Sequence, residues 1–215
     1  MLAEKSFRLG KFTLSSGAQS DYYIDCRATT LDAEGARLTG RAVLDEIAAR
    51  GWKAEAIGGL TLGADPIVIS AAVLSAESKS PIHGFLVRKQ EKQHGTGQRI
   101  EGFQKRGAKV VIVDDVCTTG GSTVQAIEVA RAAGMEIAGV ICLVDREEQN
   151  GRANVEKAAT PAQFAALFTT SDLRKEHEQA RDAGPQVYAA SDTCEMCGRP
   201  AVTNAPRPRC EMHRA

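Results

Sequence analysis

Short apolar runs alternate with longer amphipathic segments from residue 1 to about residue 168. The run KVVIV at residues 109–113 is the strongest strand prediction, because continuous β-branched residues suit a strand that is buried on both faces. Other strands are predicted near residues 56–59, 84–88, 137–144 and 162–168. Strands separated by helices favour βαβ units. The predicted fold class is therefore α/β, with a parallel sheet flanked by helices.

Three helices are predicted, one before these strands and two between them. Asp32 is a suitable N-cap for a helix that runs to about Arg50, with Val43 and Ile47 on its apolar face and Gly51 as its stop. The other two are expected near residues 65–76 and 122–133. The polar stretch 89–107 carries four glycines and predicts a long loop, and loops of that length are often functional lids.

Composition narrows the function classes. Of the 215 residues, 43% are apolar and 25% charged, as in an ordinary globular protein. Lys plus Arg and Asp plus Glu each number 27, so the net charge of zero argues against nucleic acid or a membrane held by bulk charge. The longest apolar stretch, residues 66–76, is too short to span a membrane. The N-terminus lacks the apolar core of a secretory signal, which predicts a cytoplasmic protein.

The candidate chemistry is concentrated in VVIVDDVCTTGGST, residues 110–123. A buried strand would deliver Asp114 and Asp115 to its carboxyl end, and the loop at 116–121 would then turn into a helix. Backbone N–H groups and hydroxyls at such a helix start predict a phosphate site. Two acids beside a phosphate would repel it unless they bind sugar hydroxyls or Mg²⁺, so a sugar phosphate fits best. The alternative is a helix-capping turn without a ligand.

This run resembles the phosphoribosyl pyrophosphate motif of type I phosphoribosyltransferases. Four more segments are similar to the orotate phosphoribosyltransferase family, so the resemblance covers roughly residues 4–168. They are FTLSSGAQSDYYIDCR at 12–27, GGLTLGADPI at 58–67, VRKQEKQHGTGQRIEG at 87–102 and LVDREEQ at 143–149. The resemblance implies a type I phosphoribosyltransferase fold with a small N-terminal hood, and a catalytic domain at 1–168.

The family resemblance also implies an activity, the transfer of phosphoribose from phosphoribosyl pyrophosphate to orotate in pyrimidine synthesis. Mg²⁺ would arrive with the pyrophosphate substrate. Asp114 and Asp115 would hold the ribose 2′ and 3′ hydroxyls, and the loop that follows would bind the 5′-phosphate. That loop comprises Val116, Cys117, Thr118, Thr119, Gly120, Gly121 and Ser122.

Basic residues complete the implied site. By the same resemblance Arg88, Lys89, Lys92 and His94 would clamp the pyrophosphate, some of them reaching into the partner subunit of a homodimer. Lys92 and His94 are expected to be catalytic together with the two acids. Arg146, with Thr118, would contact orotate. The plainer interpretations are a solvated basic surface at 88–106, Arg146 paired with Glu147 or Glu148, and Tyr22 and Tyr23 as packing residues.

The C-terminal residues predict a separate module. After a polar tether or helix at 169–193, residues 194–215 contain four candidate ligands, C-x-x-C followed by C-x-x-H: Cys194, Cys197, Cys210 and His213. Four N/S ligands suit closed tetrahedral zinc, so we expect a structural zinc ion rather than a catalytic one. A redox C-x-x-C pair or a disordered tail are the alternatives.

Two other functions stay open at this point. A phosphoribosyltransferase for another base would keep residues 110–123 but would not require Arg146. The second alternative is a regulator that senses phosphoribosyl pyrophosphate and binds nucleic acid. Only the arginine-bearing tail favours this function, and nucleic acid is not expected as a partner.

Overall fold

The computed structural model describes residues 1–13, 19–90 and 99–182. The chain divides into two units, Met1–Arg174 and Lys175–Ala215. The first unit is built on a six-stranded sheet of order β5-β4-β3-β6-β7-β8, in which only the β4–β5 pair is antiparallel. Its strands are β3 (Ala56–Leu60), β4 (His83–Val87), β5 (Ile100–Gly102), β6 (Lys109–Cys117), β7 (Glu136–Asp145) and β8 (Gln163–Thr169). The predicted α/β class is confirmed, and the sheet is parallel as predicted except at the antiparallel β4–β5 pair.

The central strand β6 is longer than the sequence predicts. Val111 and Val113 pack on one side of the sheet, whereas Val110 and Ile112 pack on the other, as side-chain alternation requires. Pairing with β7 continues past the apolar run, as far as Cys117 opposite Asp145. The two acids, Val116 and Cys117 therefore belong to the strand and not to the loop, because the β7 ladder satisfies their backbone groups.

The prediction of an uninterrupted loop over residues 89–107 is wrong at β5. Ile100 is buried, and it pairs with Val87 on the antiparallel neighbour β4. Three residues with a single buried side chain leave too short a pattern to indicate a strand, so the pairing partner creates it.

Helices cover both faces of the sheet. On one side lie α2 (Ala33–Ala49) and α3 (Asp65–Ser75), and on the other α4 (Gly121–Ala132) and α5 (Gly151–Ala159). The predicted N-cap is confirmed, since the Asp32 carboxylate accepts hydrogen bonds from the backbone N–H groups of Glu34 and Gly35. Gly51 follows α2 with a positive φ of 65°, which suits its role as the stop. A short helix, α1 (Arg27–Thr30), precedes α2.

The N-terminal residues form a second, two-stranded antiparallel sheet, β1 (Phe7–Thr13) with β2 (Gln19–Ile24), after one π-helical turn at Leu2–Ser6. Phe7, Tyr22 and Ile24 anchor it to the core on the α2–α3 side. The last described element, α6 (Thr170–Asp182), is not polar on every side as the sequence suggests, because Leu173 is buried in that core. Within the described residues no helix is long and apolar enough to cross a membrane.

Candidate active site

A cleft of about 330 Å³ opens at the carboxyl ends of β3 and β6. From these two central strands the sheet is built outward in opposite directions, to β4 on one side and to β7 on the other. Such a switch point is where open α/β sheets bind ligands. The lining comes from β2 and the residues after it, the β3–α3 loop, β6 with the start of α4, Lys89 and Arg146.

Two neighbouring carboxylates from β6 form the floor of the cleft. Asp114 is buried, and its Oδ2 accepts a hydrogen bond from Thr123 Oγ1 at 2.7 Å. Burial, followed by the charge of Asp115, raises the pKa of Asp114 to about 7. Burial also raises the pKa of Asp115. Near neutral pH the pair is therefore poised between sharing a proton and presenting two negative charges.

The loop between β6 and α4 makes a backbone cradle beside these acids. Gly120 adopts a left-handed conformation, with φ of 76°, and a Cβ there would lie 2.6 Å from Val155 Cγ2 on α5. The Asn154 side chain donates to the carbonyl oxygen of Thr119 at 3.0 Å, which fastens the loop to the same helix. In the first turn of the twelve-residue α4 the Gly121 N–H donates to Thr119 Oγ1 at 3.3 Å and the Val124 N–H donates to the carbonyl oxygen of Gly120. Among the described residues this leaves the N–H groups of Ser122 and Thr123 for an anion.

The β3–α3 loop approaches the acid pair from the opposite wall. Thr61 Oγ1 donates to Asp65 Oδ2 at 2.7 Å, and the Thr61 N–H donates to the carbonyl oxygen of Val87. A Cβ on Gly63 would lie 2.5 Å from Asp115 Oδ1. Only a residue without a side chain lets this loop pass so close to the carboxylates.

Arg146 lies where β7 ends. Its side chain is 7% exposed, and its Nε donates to the Tyr22 hydroxyl oxygen at 3.2 Å. Its Nη2 lies 3.3 Å from Glu148 Oε2, so the plainer interpretation of Arg146 as a partner of Glu148 holds as well. Tyr22 is buried against Phe7 but is more than a packing residue, because its hydroxyl also donates to Glu148.

Comparisons with known proteins agree with this architecture. Residues 63–159 match the phosphoribosyl transferase domain. Orotate phosphoribosyltransferase of Rhodopirellula baltica is 42% identical over 161 residues, which span 73% of this chain and 83% of the relative. The chain belongs to the orotate phosphoribosyltransferase family.

Other members of the orotate phosphoribosyltransferase family give the same result. The Aquifex aeolicus protein is 43% identical over 75% of this chain and 86% of its own length. The structure of the Mycobacterium tuberculosis orotate phosphoribosyltransferase in complex with 5-phospho-α-D-ribosyl 1-diphosphate superposes with a TM-score of 0.63 at 30% identity, covering 80% of this chain and 94% of that one.

Half of the substrate-binding residues expected from the family resemblance line the cleft. Those that line it are Lys89, Asp114, Asp115, Val116, Thr118, Ser122 and Arg146. Thr119, Gly120 and Gly121 form the adjoining turn, whereas the Cys117 side chain is buried in the core on the α4–α5 side and offers only its backbone. The Arg88 guanidinium pairs with Glu101 at 3.4 Å. Lys92 and His94 lie outside the described residues, as do Cys194, Cys197, Cys210 and His213.

Sequence reasoning passed over two of the residues that line the cleft, Asp25 and Arg27. Asp25 Oδ1 accepts from Arg27 Nε at 2.8 Å, and this contact is the main reason why the pKa of Asp25 is lowered. Both residues fall within the family-like segment 12–27, and their place in that segment could have identified them as site residues. Among the described residues no group of three or more His, Cys, Asp or Glu side chains is placed to hold a metal ion.

Proposed function

We propose that this chain joins orotate to phosphoribosyl pyrophosphate, giving orotidine 5′-monophosphate and pyrophosphate in pyrimidine synthesis. The observation that carries the proposal is the cleft itself, which Asp114 and Asp115 line together with residues of the backbone anion cradle and Arg146. A sugar phosphate and an anionic base would each meet their complement there.

The acid pair has a role that follows from the chemistry. Breaking the bond between the ribose C1 and pyrophosphate leaves a ribose with cationic character and a strongly anionic leaving group. Carboxylates near the sugar stabilise the first, and cations near the pyrophosphate stabilise the second. We assign the ribose 2′ and 3′ hydroxyls to Asp114 and Asp115, and the 5′-phosphate to residues 116–122.

The pyrophosphate is assigned to basic residues that follow β4. Lys89 lines the cleft, and its carbonyl oxygen accepts a hydrogen bond from Gln125 on α4, so its backbone is tied to the phosphate-binding side. Arg88, Lys92 and His94 would complete the clamp. When the segment that carries these cations closes over the cleft, it would exclude water and at the same time bring positive charge to the leaving group.

Mg²⁺ fits this site as a companion of the substrate. It binds to proteins through one or two carboxylates together with substrate phosphates, and the β6 acids are a donor set of that size. When bound, the ion would neutralise charge on the pyrophosphate. Asp114 and Asp115, to which the ribose hydroxyls are assigned, would share in holding it.

The decisive experiment incubates the full chain with phosphoribosyl pyrophosphate, Mg²⁺ and each base in turn. Orotidine 5′-monophosphate from orotate alone is the expected product. If a different base yields a nucleotide, that base is the substrate and the assignment of orotate is wrong. Binding of phosphoribosyl pyrophosphate with no nucleotide from any base would favour the regulator instead.

A homodimer with shared clamp residues is part of the proposal. The exposed face of α3 carries Ile69 and Val73, which are 57% and 67% exposed, an apolar surface that a second copy would cover. Co-expression of differently tagged Lys92→Ala and Asp114→Asn chains tests the sharing. If clamp residues act across subunits, each mixed dimer regains one of its two sites. Because random assembly makes about half of the dimers mixed, the co-expressed pool should show about a quarter of wild-type activity. A mixture that stays inactive would contradict the sharing.

A structural zinc ion held by Cys194, Cys197, Cys210 and His213 is also proposed. Its support is the spacing of two ligand pairs, which matches closed tetrahedral sites. Metal analysis of chain purified without added zinc should give one zinc per chain, and Cys194→Ser should lose it. A metal-free wild type of equal stability would overturn the assignment.

A cytoplasmic location completes the proposal. The three cysteines of the described part, Cys26, Cys117 and Cys142, are all free thiols, as is usual in a reducing compartment.

A further inference from the structure

Arg146 is held on one edge and open on the other. Its backbone N–H donates to the carbonyl oxygen of Cys117 at 2.9 Å, which fixes its Cα at the end of β6. Its Nε and Nη2 contact the Tyr22 hydroxyl and Glu148, and Nη2 also lies 3.5 Å from Ser20 Oγ. Within the described part of the chain Nη1 has no such contact, while the side chain lines the cleft. One edge of the guanidinium is therefore left for a ligand.

Tyr22 is well placed to set the direction of that open edge. The Arg146 guanidinium lies over the Tyr22 ring, 4.6 Å from its centroid, and the ring is stacked on Phe7. Burial and the hydrogen bond to Glu148 raise the pKa of Tyr22, so the hydroxyl keeps its proton at neutral pH. Because that proton is donated to Glu148, the oxygen presents a lone pair to Arg146 Nε.

The turn after Arg146 is shaped to bring Glu148 back toward Tyr22. Glu147, Gln149 and Asn150 all have positive φ values near 50–60°, a conformation that costs a non-glycine residue free energy. The turn is held from both ends: Asp145 Oδ1 accepts from the Glu147 N–H, and Glu147 Oε2 accepts from the N–H and hydroxyl of Ser171. Such strain persists where surrounding contacts enforce it, often at ligand sites.

We propose that Tyr22 is a positioning residue for base recognition: its hydroxyl, bridging Arg146 and Glu148, holds the guanidinium so that its free edge faces the carboxylate of the base. The inference rests on the proposed function. Without the hydroxyl, the guanidinium could turn to pair with Glu148 through both nitrogens, and Glu148 would then compete with the carboxylate of orotate.

The first test is Tyr22→Phe, which removes one oxygen and keeps the ring under Arg146. We expect the KM for orotate to rise about tenfold, with kcat and the KM for phosphoribosyl pyrophosphate within about twofold of wild type. Inhibition by uracil, the same ring without a carboxylate, should not change. Thr13→Val is the matched control, since it deletes an exposed hydroxyl that contacts Gln19 on the same hairpin.

Three results would overturn the inference. An unchanged KM for orotate in an active Tyr22→Phe enzyme is one. An equal loss of affinity for orotate, uracil and phosphoribosyl pyrophosphate is another, because it would indicate a structural defect. The third comes from Glu148→Ala, in which Tyr22 stays in place: the KM for orotate should rise, and a lower KM would show that Glu148 mainly repels the substrate. A wild-type chain that makes no nucleotide would instead refute the proposed function.

Discussion

Asp114→Asn should abolish most of the activity and yet make the folded chain more stable at alkaline pH. The carboxyl is buried beside Asp115, and its pKa is raised from 3.8 to about 7. The folded state therefore binds a proton more tightly than the unfolded state does. Stability attributable to this proton is fully present below the unfolded pKa and is lost as the pH rises through the folded pKa, so the wild type should weaken toward alkaline pH.

The size of the effect follows from the pKa shift. Each pH unit between the unfolded pKa, 3.8, and the folded pKa, about 7, removes about 1.4 kcal/mol of the free energy of unfolding, because over that range the unfolded carboxyl is ionised while the folded one keeps its proton; above the folded pKa the loss levels off. Between about pH 5 and about pH 9 the wild type should lose about 3 kcal/mol that Asp114→Asn does not lose. The asparagine keeps an oxygen to accept the hydrogen bond from Thr123.

Urea denaturation at the two pH values measures this difference, with the free energy of unfolding extrapolated to water. Asp45→Asn is the matched control, because it removes an exposed carboxylate on α2 and should follow the wild type. Nucleotide formation by Asp114→Asn should fall by about a hundredfold or more. If Asp114→Asn and the wild type lost the same free energy between the two pH values, the argument from burial would be wrong.

Three more substitutions probe the walls of the cleft. Gly120→Ala should lower the free energy of unfolding by about 1–3 kcal/mol, because the added Cβ meets Val155 in a left-handed backbone; an unchanged urea midpoint would contradict this. Gly63→Ala should raise the KM for phosphoribosyl pyrophosphate with little change in the urea midpoint, because the Asp115 carboxylate has to move; lost stability with normal kinetics would speak against it. Thr123→Val removes a hydrogen bond that lowers the pKa of Asp114. Because the pKa of Asp114 should then rise, the rising limb of the pH–rate profile of Thr123→Val should shift to higher pH. An unchanged limb would show that this hydrogen bond does not set the pKa of Asp114.

The sequence predicts the centre of the sheet well and its ends poorly. Residues 109–113 are buried on both faces, so local composition alone identifies a strand. Asp114–Cys117 break the apolar pattern, and they continue the strand because β7 supplies the hydrogen bonds. The position of the acids within the strand is thus a tertiary property, and it also explains their raised pKa values.

Two elements near the site have no clear local pattern. The β1–β2 pairing contains an irregularity between Leu9 and Phe12, which interrupts the alternation that would indicate a hairpin. Helix α5 buries only Gly151, Val155 and Ala159, a narrow stripe, and it begins without a side-chain cap. The contact between Tyr22 and Arg146 joins residues 124 positions apart, so neither sequence spacing nor residue type predicts it.

The departures from ordinary folding rules are concentrated at one edge of the sheet. The adjacent buried carboxylates and the three left-handed non-glycine residues after Arg146 all lie at the carboxyl ends of β6 and β7. Before these ends, both faces of the same two strands pack against apolar side chains in the ordinary way. Since each departure costs folding free energy, and packing alone requires none of them, their shared position indicates a ligand-binding edge on physical grounds. The two acids and Arg146 at this edge are also residues that the family resemblance assigns to the substrates.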